Sequence, residues 1–280
     1  MGSQLWGALS GVAAAACWGS ADFAGGVASR LGRVFAVVLA SEICGLCLLV
    51  ILAIAFAEPL PLPGDLMWAG VAGVAGTVGL VSLYRAMAAG QMAVAAPVTA
   101  VVTAAVPVVA GAFVEGLAGG RQLLGFALGL VGVWLVTRTG SGVPIRAREL
   151  GLPLLAGTGF GAFLILIDRV SEEALFWPLV TSRSASVVAL ALVMALLRLK
   201  GVPAARQLPL AALSGVFNTA GNLCYALAAR LGRMDAAAVL SSLGPAATVL
   251  LARLFLKESI SRQQWLGVAA ALAAVVLITP

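Results

Sequence analysis

Five ionisable residues stand inside long apolar runs of this 280-residue chain: Asp22, Glu42, Arg85, Arg183 and Arg253. A charge at the centre of a membrane helix costs at least ~2.5–3.5 kcal/mol on insertion scales, so each asks for a reason. Counting loops by parity places Asp22, Glu42, Arg85 and Arg253 near the odd-loop face. It puts Arg183 near the other face with Asp168, Glu172 and Glu173. Two roles are open for the four-charge layer. It is a set of neutralising ion pairs and snorkelling chains that let the helices insert, or it closes one end of a central cavity as a gate. In the second role Asp22 or Glu42 takes up protons, because burial favours the neutral acid and a nearby Arg favours the carboxylate.

An uncharged polar set accompanies these charges: Tyr84, Asn218, Asn222, Tyr225, Ser241 and Ser242. Asn218, Asn222 and Tyr225 follow i, i+4, i+7 and share one helix face. Such a face avoids lipid and lines either an interface or a cavity; the cavity assignment is preferred here. Trp18 and Trp177 are candidate ring platforms, whereas Trp6, Trp68 and Trp265 sit near helix ends as interfacial anchors. Pro97 and Pro107 lie in the fourth apolar run and Pro245 in the ninth. Each removes a backbone hydrogen bond and disturbs the carbonyl four residues earlier, near Ala93, Thr103 and Ser241. Interrupted helices in matching places point to a transport site, although kinking for packing alone is the other possibility.

The solvent that holds these residues follows from composition. The chain is 62% hydrophobic and 10% charged, against about 25% charged for a soluble domain. So few charges do not cover a water-exposed surface, and lipid is the expected surrounding. The net charge of +6 does not cluster; Arg and Lys sit singly or in pairs at the ends of apolar runs, which argues against nucleic acid. Cys44 and Cys47 form a CxxC inside an apolar run, but there is no His and no second pair, so no tetrahedral zinc site is supplied. Neither a metal, a cofactor nor a catalytic residue is expected. The segment Met1 to Leu5 carries no Lys or Arg, so the first apolar run is taken as a retained spanning helix rather than a signal peptide.

An all-α, polytopic protein is therefore expected, with about ten helices at 4–29, 34–56, 66–88, 92–114, 121–138, 149–167, 177–197, 208–229, 235–256 and 262–279. The break near Gly90-Gln91 carries no charge, so nine helices is the alternative count. Glycines at 70, 73, 76 and 79, and the pairs Gly7/Gly11 and Gly125/Gly129, suit close helix packing. Most informative is an internal repeat. Tyr84 to Thr137 resembles Tyr225 to Thr279 at a shift of 141 to 143, and Ser41-Glu42 falls opposite Ser182-Arg183. The chain thus divides into five-helix halves at 1–140 and 141–280. Five helices repeated once means that the second copy enters the membrane from the opposite side.

Specific stretches of both copies carry a family likeness. Cys17-Trp18-Gly19-Ser20-Ala21-Asp22-Phe23 opens the first helix. Ser241-Ser242-Leu243-Gly244-Pro245, Leu254-Phe255-Leu256-Lys257-Glu258 and Trp265-Leu266-Gly267 close the second copy. With these residues the chain resembles the EamA-type branch of the drug/metabolite transporter superfamily over nearly its whole length. The first copy is looser: Val102 stands in the place of Pro245, and Gly116 and Leu117 follow Glu115. The resemblance implies an inverted-repeat carrier with a central cavity working by alternating access. It also implies export of amino acids or other metabolites, or exchange of nucleotide-bound sugars. The expected role is a secondary active transporter of a small amino acid-like or drug-like solute in a bacterial plasma membrane, open as to proton coupling and as to monomer or homodimer. An intramembrane lipid-phosphate enzyme and an uncoupled facilitator or channel are the alternatives. Family members are drawn with both termini in the cytoplasm. Here Lys and Arg favour the odd loops, which places those loops inside and both termini outside.

Overall fold

A computed structural model describes residues 2–30, 33–88, 92–114, 116, 119–137, 150–170, 174–199, 203–241, 243–256 and 262–278. Eleven α-helices and one 3-10 turn account for nearly all of these residues. They are α1 (Gly2–Arg30), α2 (Val34–Ala55), α3 (Pro63–Ala88), α4 (Met92–Val114), α5 (Gly120–Thr137), α6 (Gly151–Asp168), α7 (Phe176–Leu196), α8 (Leu208–Leu231), α9 (Met234–Ser241), α10 (Gly244–Leu256) and α11 (Arg262–Ile278). The turn, Ala205–Gln207, leads into α8. Val34–Ala55, Pro63–Ala86, Gly151–Asp168 and Phe176–Leu196 are long and apolar enough to cross a bilayer. Their outer surfaces are clad in exposed apolar residues such as Ile51, Ile54, Val71, Val188 and Leu192, as lipid allows and water does not. This is a multi-pass membrane protein. The 24-residue α8 carries Ser214, Asn218, Thr219 and Asn222 instead, and that polar face is what builds the site below.

The expected ninth helix is two helices. Helix α9 ends at Ser241 and α10 begins at Gly244, with Leu243 in a turn just before it and Pro245 as the second residue of α10. Proline fits there because the first turn of a helix has no intrahelical acceptor for its N–H. The matching α4 is continuous through Pro97 and Pro107. Pro245 alone of the three therefore coincides with a helix interruption, in line with Val102 standing at its position in the first copy. The side chains of Pro97 and Pro245 lie outside the described residues, and Pro107 is buried.

The packing repeats with the sequence. Helix α1 lies against α8 as α6 lies against α3. Helix α2 lies against α8 as α7 lies against α3, and α1 meets α9 and α10 as α6 meets α4. Two contacts, α2 with α7 and α5 with α11, join helices that are equivalents of each other. Local detail follows the same shift. Helix α2 ends with Glu58 N–H on Ala53 O and Ala57 N–H on Ile54 O. Helix α7 ends with Leu199 N–H on Met194 O and Arg198 N–H on Ala195 O. Both ends place a non-glycine residue in the left-handed region, Ala57 at φ 48° and Arg198 at φ 51°. A helix end of this form returns two orphan carbonyls to hydrogen bonds.

Candidate functional site

One face of α1 carries Trp18, Asp22 and Gly25, spaced i, i+4, i+7. Trp18 sits over α8: its Nε1 donates to Asn222 Oδ1 at 2.9 Å, and its ring stacks on Tyr225 at 5.8 Å between centroids. The approach is possible because Gly221 has no side chain; a Cβ there would lie 2.3 Å from Trp18 Cδ1. The repeat makes the same contact at a shift of 142, where a Cβ on Gly79 would lie 2.6 Å from Phe160 Cδ1. Asp22 is half-buried, one turn along the same face. Tyr84, buried, brings its hydroxyl beside Gly25, hydrogen-bonds Ser214 and feels the charge of both Asp22 and Glu42. Its equivalent, Tyr225, donates its hydroxyl to Leu164 O at 3.4 Å, and Leu164 occupies the repeat position of Asp22 (22 and 164). At these equivalent places the first half carries the acid Asp22 where the second carries Leu164.

Beside this group Arg183 forms a buried ion pair with Glu42 through Nη1 and donates from Nη2 to Asn218 Oδ1. Both charged side chains are about 95% shielded, so the pair has little water to compete with it. Arg183 Nε, Glu42 Oε2 and Thr219 Oγ1 have no hydrogen-bond partner among the described residues. Two of them converge on Gly45, where a Cβ would lie 2.5 Å from Thr219 Oγ1 and 3.4 Å from Arg183 Nε.

Loop parity separates Arg183 from Glu42; the structure corrects this by joining them. Glu42 lies eight residues past the start of α2 and Arg183 seven past the start of α7. At 1.5 Å per residue each stands ~10–12 Å inside its helix, about two turns from its start, whereas loop parity assigns only a helix end. Among the described residues Arg85 joins no acidic partner in a layer: it is exposed, with its guanidinium over the Phe35 ring at 5.0 Å. The side chain of Arg253 lies outside the described residues. Ser241 is buried but donates to Ala238 O at 3.1 Å within its own helix, apart from the other polar residues. Trp18, Asn218, Asn222 and Tyr225 are brought together; Tyr84 approaches from the first half.

Glu58 is a residue the sequence does not single out. It follows α2, and its carboxylate accepts the backbone N–H groups of Phe176 at 2.9 Å and Trp177 at 2.8 Å, capping α7. Trp177 Nε1 returns a bond to Glu58 O at 2.9 Å, and Phe56 stacks on Phe176 at 5.4 Å. A carboxylate on the first N–H groups of a helix is favoured by both hydrogen bonding and the helix dipole. Trp177, a candidate platform, is thus anchored at the start of α7 against the end of α2. A cavity of about 70 Å³ lies nearby, lined in part by Asp168, Leu175, Pro178, Ala226 and Arg230; it has room for about two water molecules. No group of three or more metal-ligating side chains occurs among the described residues, and the four cysteines are free thiols.

The model of the EamA-like transporter family matches residues 5–138 and again residues 149–279. The chain belongs to that family. No curated protein matches it. A crystal structure described only as that of a protein is similar in fold, with a TM-score of 0.78 at 17% identity over 98% of this chain and 96% of the other. As an EamA-like protein, the chain is a transporter of small solutes held in a bilayer. Its two family segments meet along many helices, and the buried polar residues collect where α1, α2, α7 and α8 do so.

Proposed function

We propose that this protein is a secondary active transporter that exports a small amino acid-like or drug-like metabolite across a bacterial plasma membrane by alternating access. Two five-helix halves, 1–140 and 141–280, enter the membrane from opposite sides. The solute binds between them at Trp18, Tyr84, Asn218, Asn222 and Tyr225. One observation carries this reading: hydrogen-bonding side chains are gathered along the interface of the halves, where Trp18 of one half bonds Asn222 of the other. Binding between repeats, near the middle of the bilayer, is the common plan of such carriers. A screen of metabolites by thermal shift tests it, since a bound solute stabilises the folded protein. Uptake by proteoliposomes then separates carrier from inert subunit: absence of uptake for every stabilising solute would sink the proposal.

Asp22 is the proposed proton-coupling group, because it stands half-buried on the face of α1 that Trp18 turns to the interface. Asp22→Asn is expected to keep solute exchange while losing acceleration by an imposed proton gradient. Full gradient dependence in the variant would remove Asp22 from that role. Lys and Arg in the odd loops support termini outside the cytoplasm. Alkaline phosphatase fused after Pro280 is then expected to be active, and a fluorescent protein that folds only in the cytoplasm to stay dark there.

A further inference from the structure

Glu42 and Arg183 differ by 141 residues, the shift of the repeat itself, so they are the same position in the two halves. Their neighbourhood is built twice. A Cβ on Gly73 would lie 2.0 Å from Ser182 O, and one on Gly215 would lie 2.3 Å from Ser41 O. Ser186 Oγ donates to Gly73 O at 2.9 Å, and a Cβ on Gly45, the repeat equivalent of Ser186, would lie 3.3 Å from Gly215 O. A pair of equivalent residues that touch lies on the two-fold axis relating the halves. In a carrier of inverted repeats the opposite-facing state is obtained by exchanging the conformations of the two halves. Most contacts are thereby replaced by their images. A contact between equivalent residues is its own image, and so survives the exchange.

We infer that the Glu42–Arg183 pair is the pivot on which the halves rock, present in both facing states, and not a gate that opens in one of them. This rests on the alternating-access reading proposed above. The Glu58 clamp on α7 is the contrasting case. Its image would set Leu199 against residues 34–36 (58 + 141 = 199; 175 − 141 = 34), and leucine has no carboxylate to offer. The clamp therefore belongs to one state only. A contact equally strong in both states cannot bias their ratio, whereas a contact made in one state must.

The test uses full-length protein in liposomes, with Cys17, Cys44, Cys47 and Cys224 replaced by Ser and spin labels at Leu60→Cys and Arg169→Cys. Both positions are exposed and lie on the clamped face, one in each half. Pulsed dipolar spectroscopy reads the distance distribution. The parent protein is expected to show a short and a long population. Glu42→Gln/Arg183→Met, which neutralises the pair, should leave their ratio unchanged while broadening both, because the halves lose a fixed axis. The exchanged pair Glu42→Arg/Arg183→Glu should restore the narrow widths, and it keeps the test alive if the neutral variant fails to fold. Glu58→Ala should move the ratio toward the long population. A shifted ratio or unchanged widths in the neutral variant, a shifted ratio in the exchanged variant, or no shift in Glu58→Ala overturns the pivot. A single population in the parent protein under every gradient would instead overturn alternating access itself.

Discussion

Arg183→Met leaves the Glu42 carboxylate buried without its cation and is expected to destabilise the protein by about 3–5 kcal/mol. The size follows from what remains, not from what is lost. With both side chains about 95% shielded, most of their attraction is spent offsetting their own desolvation, so the intact pair contributes little net stability. Removing one partner abolishes the attraction and keeps the other group's desolvation penalty. Asn218 compounds the loss, since its Oδ1 accepts from Arg183 Nη2 and would be left without that donor. Glu42→Gln should also be costly: a carboxamide still offers an oxygen to Nη1, but the Arg183 guanidinium is left buried without its anion. The double variant Glu42→Gln/Arg183→Met should be more stable than Arg183→Met alone, the signature of a coupled pair. Thermal unfolding of the four proteins in one detergent measures the cycle. Equal losses for Arg183→Met and the double variant would show that the carboxylate is hydrated after all.

That pair also shows what the sequence could carry. The repeat shift set Glu42 opposite Arg183 in alignment, and their presence in apolar runs marked them as costly. Contact was not legible, because loop parity assigns a helix end and not a depth. Two residues, each about two turns inside its own helix, meet across the contact of α2 with α7. The polar face of α8 was legible from the spacing of Asn218, Asn222 and Tyr225, since helical periodicity fixes which side chains point together. Glu58 was not. Its role depends on the end of α2 meeting the start of α7, more than a hundred residues later, and an acid after an apolar run looks like any polar loop residue. Pro245 was marked as a kink and is a helix start, a difference decided by the backbone just before it. Apolar runs and the charges and turn residues between them supplied the ten-run plan, and the structure divides the ninth run into α9 and α10.

Gly73→Ala and Gly215→Ala are each expected to cost about 1–3 kcal/mol or more, because each Cβ would be forced into a backbone and not into a yielding side chain. On Gly73 it would lie 2.0 Å from Ser182 O, and on Gly215 2.3 Å from Ser41 O. Helix α3 would have to withdraw from α7, or α8 from α2, and the Glu42–Arg183 contact would be disturbed with them. Gly73 also accepts Ser186 Oγ and Thr77 Oγ1, both at 2.9 Å, so a shift of its carbonyl disturbs two further bonds. Gly70 is the control. It belongs to the same three-residue spacing and the same helix, yet a Cβ there meets nothing within 4 Å. Gly70→Ala should be neutral or stabilise by roughly 0.5–1 kcal/mol, the helical preference for Ala over Gly. The two damaging sites press on Ser182 and Ser41, neighbours of the paired Arg183 and Glu42, so the loss in Gly73→Ala/Gly215→Ala should depart from the sum of the single losses. Melting temperatures in detergent rank the four variants. If Gly70→Ala proved as damaging as Gly73→Ala, the spacing of small residues, and not the approach of the Ser182 carbonyl, would be what holds α3 in place.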